Sequence, residues 1–226
     1  MKNSLNAILT MRKFALVLAL VLVCAAAARA DNLVTTRPVG TDSVDWSQLG
    51  LPSTLIPNPF SFVTANSVSG TGAYAAGTGI VYQEASGWTG NFAPGDIVNY
   101  TNDAGALTLT FTDGYTQIGA QIQAAFYNGF TAKICDVNGC FTEDGTSTGD
   151  NDNSAIYLGV SSSSPITWVT FSLTSANNGQ SDINVFGIND VTLDNGTPPV
   201  PEPSSLLLLG TGLVGLAGAM RRKFAR

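Results

Sequence analysis

Residues 106–126 constrain the fold of this chain more than any other stretch. Ala106-Leu107-Thr108-Leu109-Thr110-Phe111-Thr112 alternates without a break, with Leu107, Leu109 and Phe111 on one side and threonines on the other. From Thr116 the alternation resumes. Ile118, Ala120, Ile122, Ala124 and Phe126 share one side, and Gln117, Gln121 and Gln123 occupy the opposite one. Side chains alternate with period two only along an extended strand, so these are two half-buried strands, and Asp113-Gly114 between them reads as a turn. Nowhere between Asp31 and Thr197 do apolar residues hold the i, i+3, i+4 spacing of a long helix.

The remaining segments repeat the pattern in shorter form. Residues 130–135 and 140–142 flank Asp136-Val137-Asn138-Gly139, a hairpin signal because Asn-Gly accepts positive φ cheaply. Residues 156–160, 165–173 and 184–193 also read as strands. In the second, the apolar parity slips between Trp168 and Val169, as a bulge would make it; the third is expected to kink at Gly187. Residues 31–105 are less regular, with a short helical turn at 44–49, loop enforced by Pro52, Pro57 and Pro59, and strands at 80–83 and 97–101. Short strands, frequent turn signals and no crossover helices predict an all-β fold, an antiparallel β-sandwich of jelly-roll-like topology. Residues 31–197 are long enough for one such domain with its own core.

Two apolar segments bracket that domain. At the N-terminus Arg12 and Lys13 precede an apolar run over 14–23, and Ala28-Arg29-Ala30 follows. A positive region, an apolar core and a small-x-small site form a secretory signal peptide over 1–30, cut by signal peptidase between Ala30 and Asp31. Met11 is the alternative start to Met1. A retained helical anchor is the competing reading, but the run is short against the ~20 residues of a span. Cys24 departs with the signal.

At the C-terminus Val200-Pro201-Glu202-Pro203 is stiff and extended, because proline fixes φ and lacks an N–H. Residues 204–220 carry no charge and predict a transmembrane helix, with Gly210, Gly212, Gly215 and Gly218 thinning one side for close packing. Arg221, Arg222, Lys223 and Arg226 form a basic stop that stays on the cytoplasmic side and leaves the domain outside. These residues alone describe a C-terminal anchor. Val-Pro-Glu-Pro, a glycine-rich apolar helix and a basic end, in that order over residues 200–226, resemble the PEP-CTERM sorting signal of exopolysaccharide-producing Gram-negative bacteria. The resemblance implies that an exosortase, an integral-membrane protease-transpeptidase, recognises Pro201, Glu202 and Pro203 and cuts nearby. The inner-membrane precursor then moves to the cell surface or the extracellular matrix, with exopolysaccharide as the expected associate.

Charge narrows what the middle can bind. Outside the two end segments only Arg37 and Lys133 are basic, and fifteen of the sixteen acidic residues lie there, about −13 in all. Such a domain repels nucleic acid and anionic lipid. The chain has no histidine, which removes Ser-His-Asp and Cys-His catalysis and the commonest zinc ligand. No phosphate-binding glycine loop appears. A carboxylate-pair glycan hydrolase is the enzymatic alternative, any two acids sufficing if folding brings them together. A purely structural envelope component is the other.

Three further features are candidates for sites. Cys135 and Cys140 span the hairpin turn and, after export to an oxidising compartment, read as a disulfide. Glu143, Asp144, Asp150 and Asp152 gather oxygen ligands in what reads as a loop, which suits calcium. Asp150 and Asp152 fit the first positions of a calcium loop, but Ala155 replaces its turn glycine and Ser161 its closing glutamate, so a mobile acidic loop is favoured and no cofactor is expected. Trp88, in Ser-Gly-Trp-Thr-Gly, is the best candidate to stack on a sugar ring, with core packing the commoner fate of such a residue.

Overall fold

The computed structural model describes residues 31–176 and 183–196, together with Gly212. Ala30, Pro201, Glu202, Pro203, Arg221, Arg222, Lys223, Arg226 and the expected transmembrane helix, Gly212 apart, lie outside the described residues. Among those described, no helix is long and apolar enough to cross a membrane.

Twelve strands follow in order: β1 (Asn32–Val34), β2 (Asp42–Val44), β3 (Leu55–Ile56), β4 (Phe60–Val63), β5 (Ser69–Tyr74), β6 (Gly79–Gln83), β7 (Ile97–Tyr100), β8 (Leu107–Ala124), β9 (Asn128–Cys135), β10 (Cys140–Ser147), β11 (Ile156–Ala176) and β12 (Phe186–Asp194). Every ladder is antiparallel. The 18-residue β8 and the 21-residue β11 hold the architecture together. Early β8 (107–111) pairs with β5 and with late β11 (168–171), whereas late β8 (117–124) pairs with β12 and with early β11 (156–161). Each long strand therefore runs through both leaves of a sandwich. The first leaf is β4-β5-β8-β11-β9-β10; the second is β1-β11-β8-β12-β7-β6-β3, with β2 on the outer edge of β12.

Asp113-Gly114 is thus not a hairpin turn but the place where β8 passes between leaves. The β8–β11 register breaks between Ser161 and Ile166 and again between Ile166 and Trp168. Buried parity on β8 switches there, from odd positions (Leu107, Leu109, Phe111, Tyr115) to even ones (Ile118, Ala120, Ile122, Ala124). A bulge changes parity without reversing the chain. The kink expected at Gly187 falls instead between Ile188 and Val191. Gly187 serves packing, since a Cβ there would lie 2.6 Å from Val98 Cγ1.

The core is one cluster fed by both leaves. The helical turn at 44–49 is a 3-10 turn, Trp46–Leu49, capped by Asp45, whose side chain accepts from the Ser47 N–H. It drives Trp46 inward, where the indole meets Phe60 and Phe62 edge-on at 6.3 and 6.2 Å and its Nε1 donates to the Asn189 carbonyl at 2.9 Å. Beside it the buried Asp42 carboxylate accepts from the Tyr115 hydroxyl at 2.7 Å and from the Asn66 N–H at 2.9 Å. Burial works against ionising Asp42, but Thr64, Tyr115 and two backbone N–H groups outweigh it and hold the carboxyl below its ordinary value. The same contact and burial push the Tyr115 phenol up to about 12.

Strands β4 and β5, which lie in the stretch whose sequence is less regular and announces no strand there, owe their pairing to two glycines. A Cβ at Gly72 would lie 2.0 Å from Phe60 Cζ, and one at Gly70 would lie 2.3 Å from Phe62 Cζ. The glycines vacate the space that both rings fill. At the far edge of this leaf Cys135 and Cys140 are opposite each other on β9 and β10, Cα atoms 4.0 Å apart, and are joined by a disulfide. The turn between them is held by Asp136, whose carboxylate accepts from the N–H groups of Asn138 and Gly139, and neither of those residues has positive φ.

Candidate functional site

Residues 84–96 fold back over the outer face of the second leaf and create a second, smaller core. The turn that begins this loop is tight: the N–H groups of Ser86 and Trp88 both donate to the Gln83 carbonyl, with Ala85 and Gly87 at positive φ. Glu84 anchors it from beneath. Its carboxylate is 1% exposed and accepts from the N–H groups of Gly90 at 2.9 Å and Ala85 at 3.2 Å. Burial raises its pKa, those bonds oppose the rise, and the charge of Asp96 adds to it. Asn91 ties this loop to the next one, accepting from the Thr148 N–H at 2.6 Å and donating to the hydroxyls of Thr148 and Ser154, both at 2.7 Å. Gln123, on the outward side of β8, accepts from the Asn91 N–H at 2.6 Å. The outward glutamines legible in the sequence are therefore the floor on which the loops rest.

Trp88 is carried inward by this architecture. It is 8% exposed and packs with Phe92, Val98 and Ala155. Its ring meets Tyr100 at 5.1 Å and Tyr82 at 6.0 Å, and with those two rings 5.4 Å apart the three form a triangular cluster. A free stacking platform at Trp88 is therefore not what the fold presents. Trp88 is the floor of a shallow depression of about 240 Å³ lined by Tyr82, Thr89, Tyr100, Ala125 and Phe126. The reachable rings are the half-buried Tyr82 and Tyr100 and the exposed Phe126. Sequence spacing gave no hint of this grouping, because β6, β7 and the end of β8 meet only through the sheet order.

The acidic residues separate rather than converge. Strand β10 runs on to Ser147, because β9 continues to pair with it as far as Asn128. Glu143 and Asp144 consequently sit in a strand, with Asp144 accepting from the Thr131 hydroxyl at 2.7 Å. Asp150 accepts from the Thr148 hydroxyl, and Asp152 accepts from both the N–H and the hydroxyl of Ser154. The Ser154 hydroxyl holds the exposed Asp152 carboxyl below its usual value. Among the described residues no three His, Cys, Asp or Glu side chains are placed to hold a metal ion.

One more carboxylate is perturbed, and upward. Asp190 is half-buried in the bulge of β12, and burial, followed by the charge of Asp45, pushes its pKa up to about 6, with Arg37 acting against the rise and Asp96 adding to it. A folded-state value above the unfolded ~3.9 means that the folded protein binds this proton more tightly. Its stabilising contribution is therefore complete below about pH 4 and lost as pH rises through about 6. Asp190→Asn is expected to raise the melting temperature at pH 8 and leave it unchanged at pH 4. Thermal melts of both proteins at the two pH values decide this, and an equal shift at both would contradict it.

Comparison with known proteins speaks to the tail and hardly to the domain. Residues 199–223 match the model of the PEP-CTERM protein-sorting motif. No curated protein matches the chain. Two solved structures overlay weakly. One is CsCBM6-3 from Clostridium stercorarium in complex with cellobiose, at 12% identity over 68% of this chain and 93% of that one, with a TM-score of 0.25. The other is the catalytic domain of a GH87 α-1,3-glucanase in complex with tetrasaccharides, at 11% identity over 78% of this chain and 30% of that one, with a TM-score of 0.28. Likeness at this level supports no inference about ligands. The tail is different: residues 199–223 carry a PEP-CTERM protein-sorting motif, a signal that implies export and sorting by an exosortase.

Proposed function

We propose that this is a non-enzymatic surface or matrix protein of a Gram-negative bacterium, anchored in the inner membrane as a precursor and released to associate with exopolysaccharide. The sorting motif at 199–223 carries the export half of that reading. The aromatic depression over Tyr82, Trp88, Tyr100 and Phe126 carries the glycan half. Aromatic faces offer a large, apolar, rigid contact for the C–H face of a pyranose, and their hydroxyls bond to its edges. No metal or organic cofactor enters the proposal.

Glutamate placement favours binding over hydrolysis. Glu84 spends both backbone-facing bonds on its own loop, and Glu143 lies in β10 on the other leaf. The test is retention of the processed protein on exopolysaccharide from its own host, with reducing-sugar release followed in parallel. Tyr82→Ala and Tyr100→Ala are each expected to weaken binding roughly five- to tenfold, about 1 kcal/mol for one stacking ring. Unchanged binding in both variants would remove the depression from the reading. Sugar release by the wild type that disappears in a carboxylate variant would replace it with the hydrolase.

A further inference from the structure

The outer face of the first leaf has no assigned role, and over β4, β5 and the start of β8 it carries no charged side chain, unlike its β9–β10 edge, where Lys133 and Asp144 stand. Directly opposed residues place Ser61, Thr71, Thr110 and Trp168 in one row across β4, β5, β8 and β11. The next row brings Thr108 against Thr170, with their hydroxyls 2.8 Å apart. Cut into this face is a groove of about 460 Å³ lined by the outward side chains of Ser61, Val63, Ser69, Thr71, Thr110 and Thr112, together with Phe62 and Phe111. No charged residue lines it. A second groove of about 400 Å³ lies further along the same strands, at Ala106, Thr170 and Ser172, and there Asp103 and Lys133 join the lining. From Thr112 to Ala106 is about 20 Å of extended chain, long enough for several linked sugars.

We propose that this face is a second binding surface, distinct from the aromatic depression, and that its ligand is an uncharged polysaccharide chain lying along β8. Three observations point to that chemistry. Residues 31–197 carry about −13, yet the larger groove has no carboxylate and no cation, so it offers nothing to a uronate, a phosphate or an amine. The hydroxyls of Ser61, Ser69, Thr71 and Thr110 make no hydrogen bond to any described residue, whereas polar side chains around the other loops are bonded to one another; these four are free to exchange water for ligand hydroxyls. Trp168, half-buried and next to Thr110 in the row, supplies an indole edge for a sugar ring. The acidic remainder of the domain repels polyanions and leaves neutral chains as the class that can approach.

The two surfaces are on opposite outer sides of the sandwich. A molecule with both can hold two polymer chains at once and cross-link them, with avidity beyond either site alone.

The experiment uses the processed protein recovered from its host in affinity electrophoresis through gels containing hydroxyethylcellulose, dextran or mannan as neutral probes and alginate as the anionic one. Thr71→Asp with Thr110→Asp is expected to reduce retardation by the best neutral probe at least tenfold. Thr71→Val with Thr110→Val keeps shape and strand propensity while removing the hydroxyls, and is expected to reduce it by a smaller factor. Melting temperatures within a few degrees of wild type show that both variants fold, and the valine pair carries the test if the aspartate pair does not fold. Tyr100→Ala, on the other leaf, is expected to leave a residual retardation that disappears only when Thr71→Asp and Thr110→Asp are combined with it, which separates failure of this surface from failure of the depression. Retardation within twofold of wild type in both threonine variants overturns the proposal. So does preference for alginate, absence of retardation by all three neutral probes, or a dimer that the aspartates dissociate, which would make the face a contact between copies.

Discussion

Changing Pro201, Glu202 and Pro203 together to alanine is expected to hold the full-length protein in the membrane fraction and abolish the processed form. The motif over 199–223 supplies the recognition element, and two prolines two residues apart present it as extended backbone that a protease can clasp. Alanines restore the missing N–H and raise helix propensity, which removes the two constraints that favour extended backbone at this motif. Intact mass and membrane fractionation of protein from the native host read the result directly. Tail loss at the wild-type rate would mean that nonspecific proteolysis, and not the motif, removes it.

Gly72→Val is expected to be the most damaging single substitution among those considered in the domain. A Cβ at this position would fall 2.0 Å from Phe60 Cζ and 2.5 Å from its Cε atoms, and the ring is 4% exposed with Tyr74 5.5 Å away. Overpacking of this kind costs about 1–3 kcal/mol, which for a domain of this size lowers the melting temperature by roughly 5–10 °C. Phe60→Leu in the same chain removes the colliding ring tip, and the double variant should melt above Gly72→Val alone. Strict additivity of the two losses would show that ring and glycine do not share that space.

The glycines explain why half of the fold was illegible in the sequence. Ser69-Gly70-Thr71-Gly72-Ala73-Tyr74 scores poorly as a strand by itself, because glycine weakens strands in isolation. Its reason for being extended is two rings on β4, a fact that belongs to the pairing and not to the segment. In contrast, the alternation over 107–124 shows which side of β8 faces the core even though Asp113-Gly114 reads as a turn, while Phe126, expected on that side, lies beyond the strand's end and is exposed. A parity switch has the same local signature whether the chain reverses or merely bulges, and only the partners of each half tell them apart. The aromatic depression was illegible for a related reason. Trp88 was visible as a residue, but its neighbours Tyr82, Tyr100 and Phe126 reach it through strand order. The acidic cluster was over-read from proximity in sequence, because continued pairing with β9 draws Glu143 and Asp144 into a strand.

The position of β12 bears on how this molecule withstands pulling. It is the strand from which the sorting tail departs, and seven residue pairs between Phe186–Asp194 and β8 hold it, with β2 clasping Val191, Thr192 and Leu193 from the other side. A pull along the strand axis through the C-terminal tail, against a grip elsewhere on the domain, loads those rungs side by side in shear. All must give way nearly together, whereas a strand peeled from its end yields one rung at a time. Because β8 also runs into the other leaf, such a load passes directly from β12 into the first leaf, and the two leaves resist it as one body.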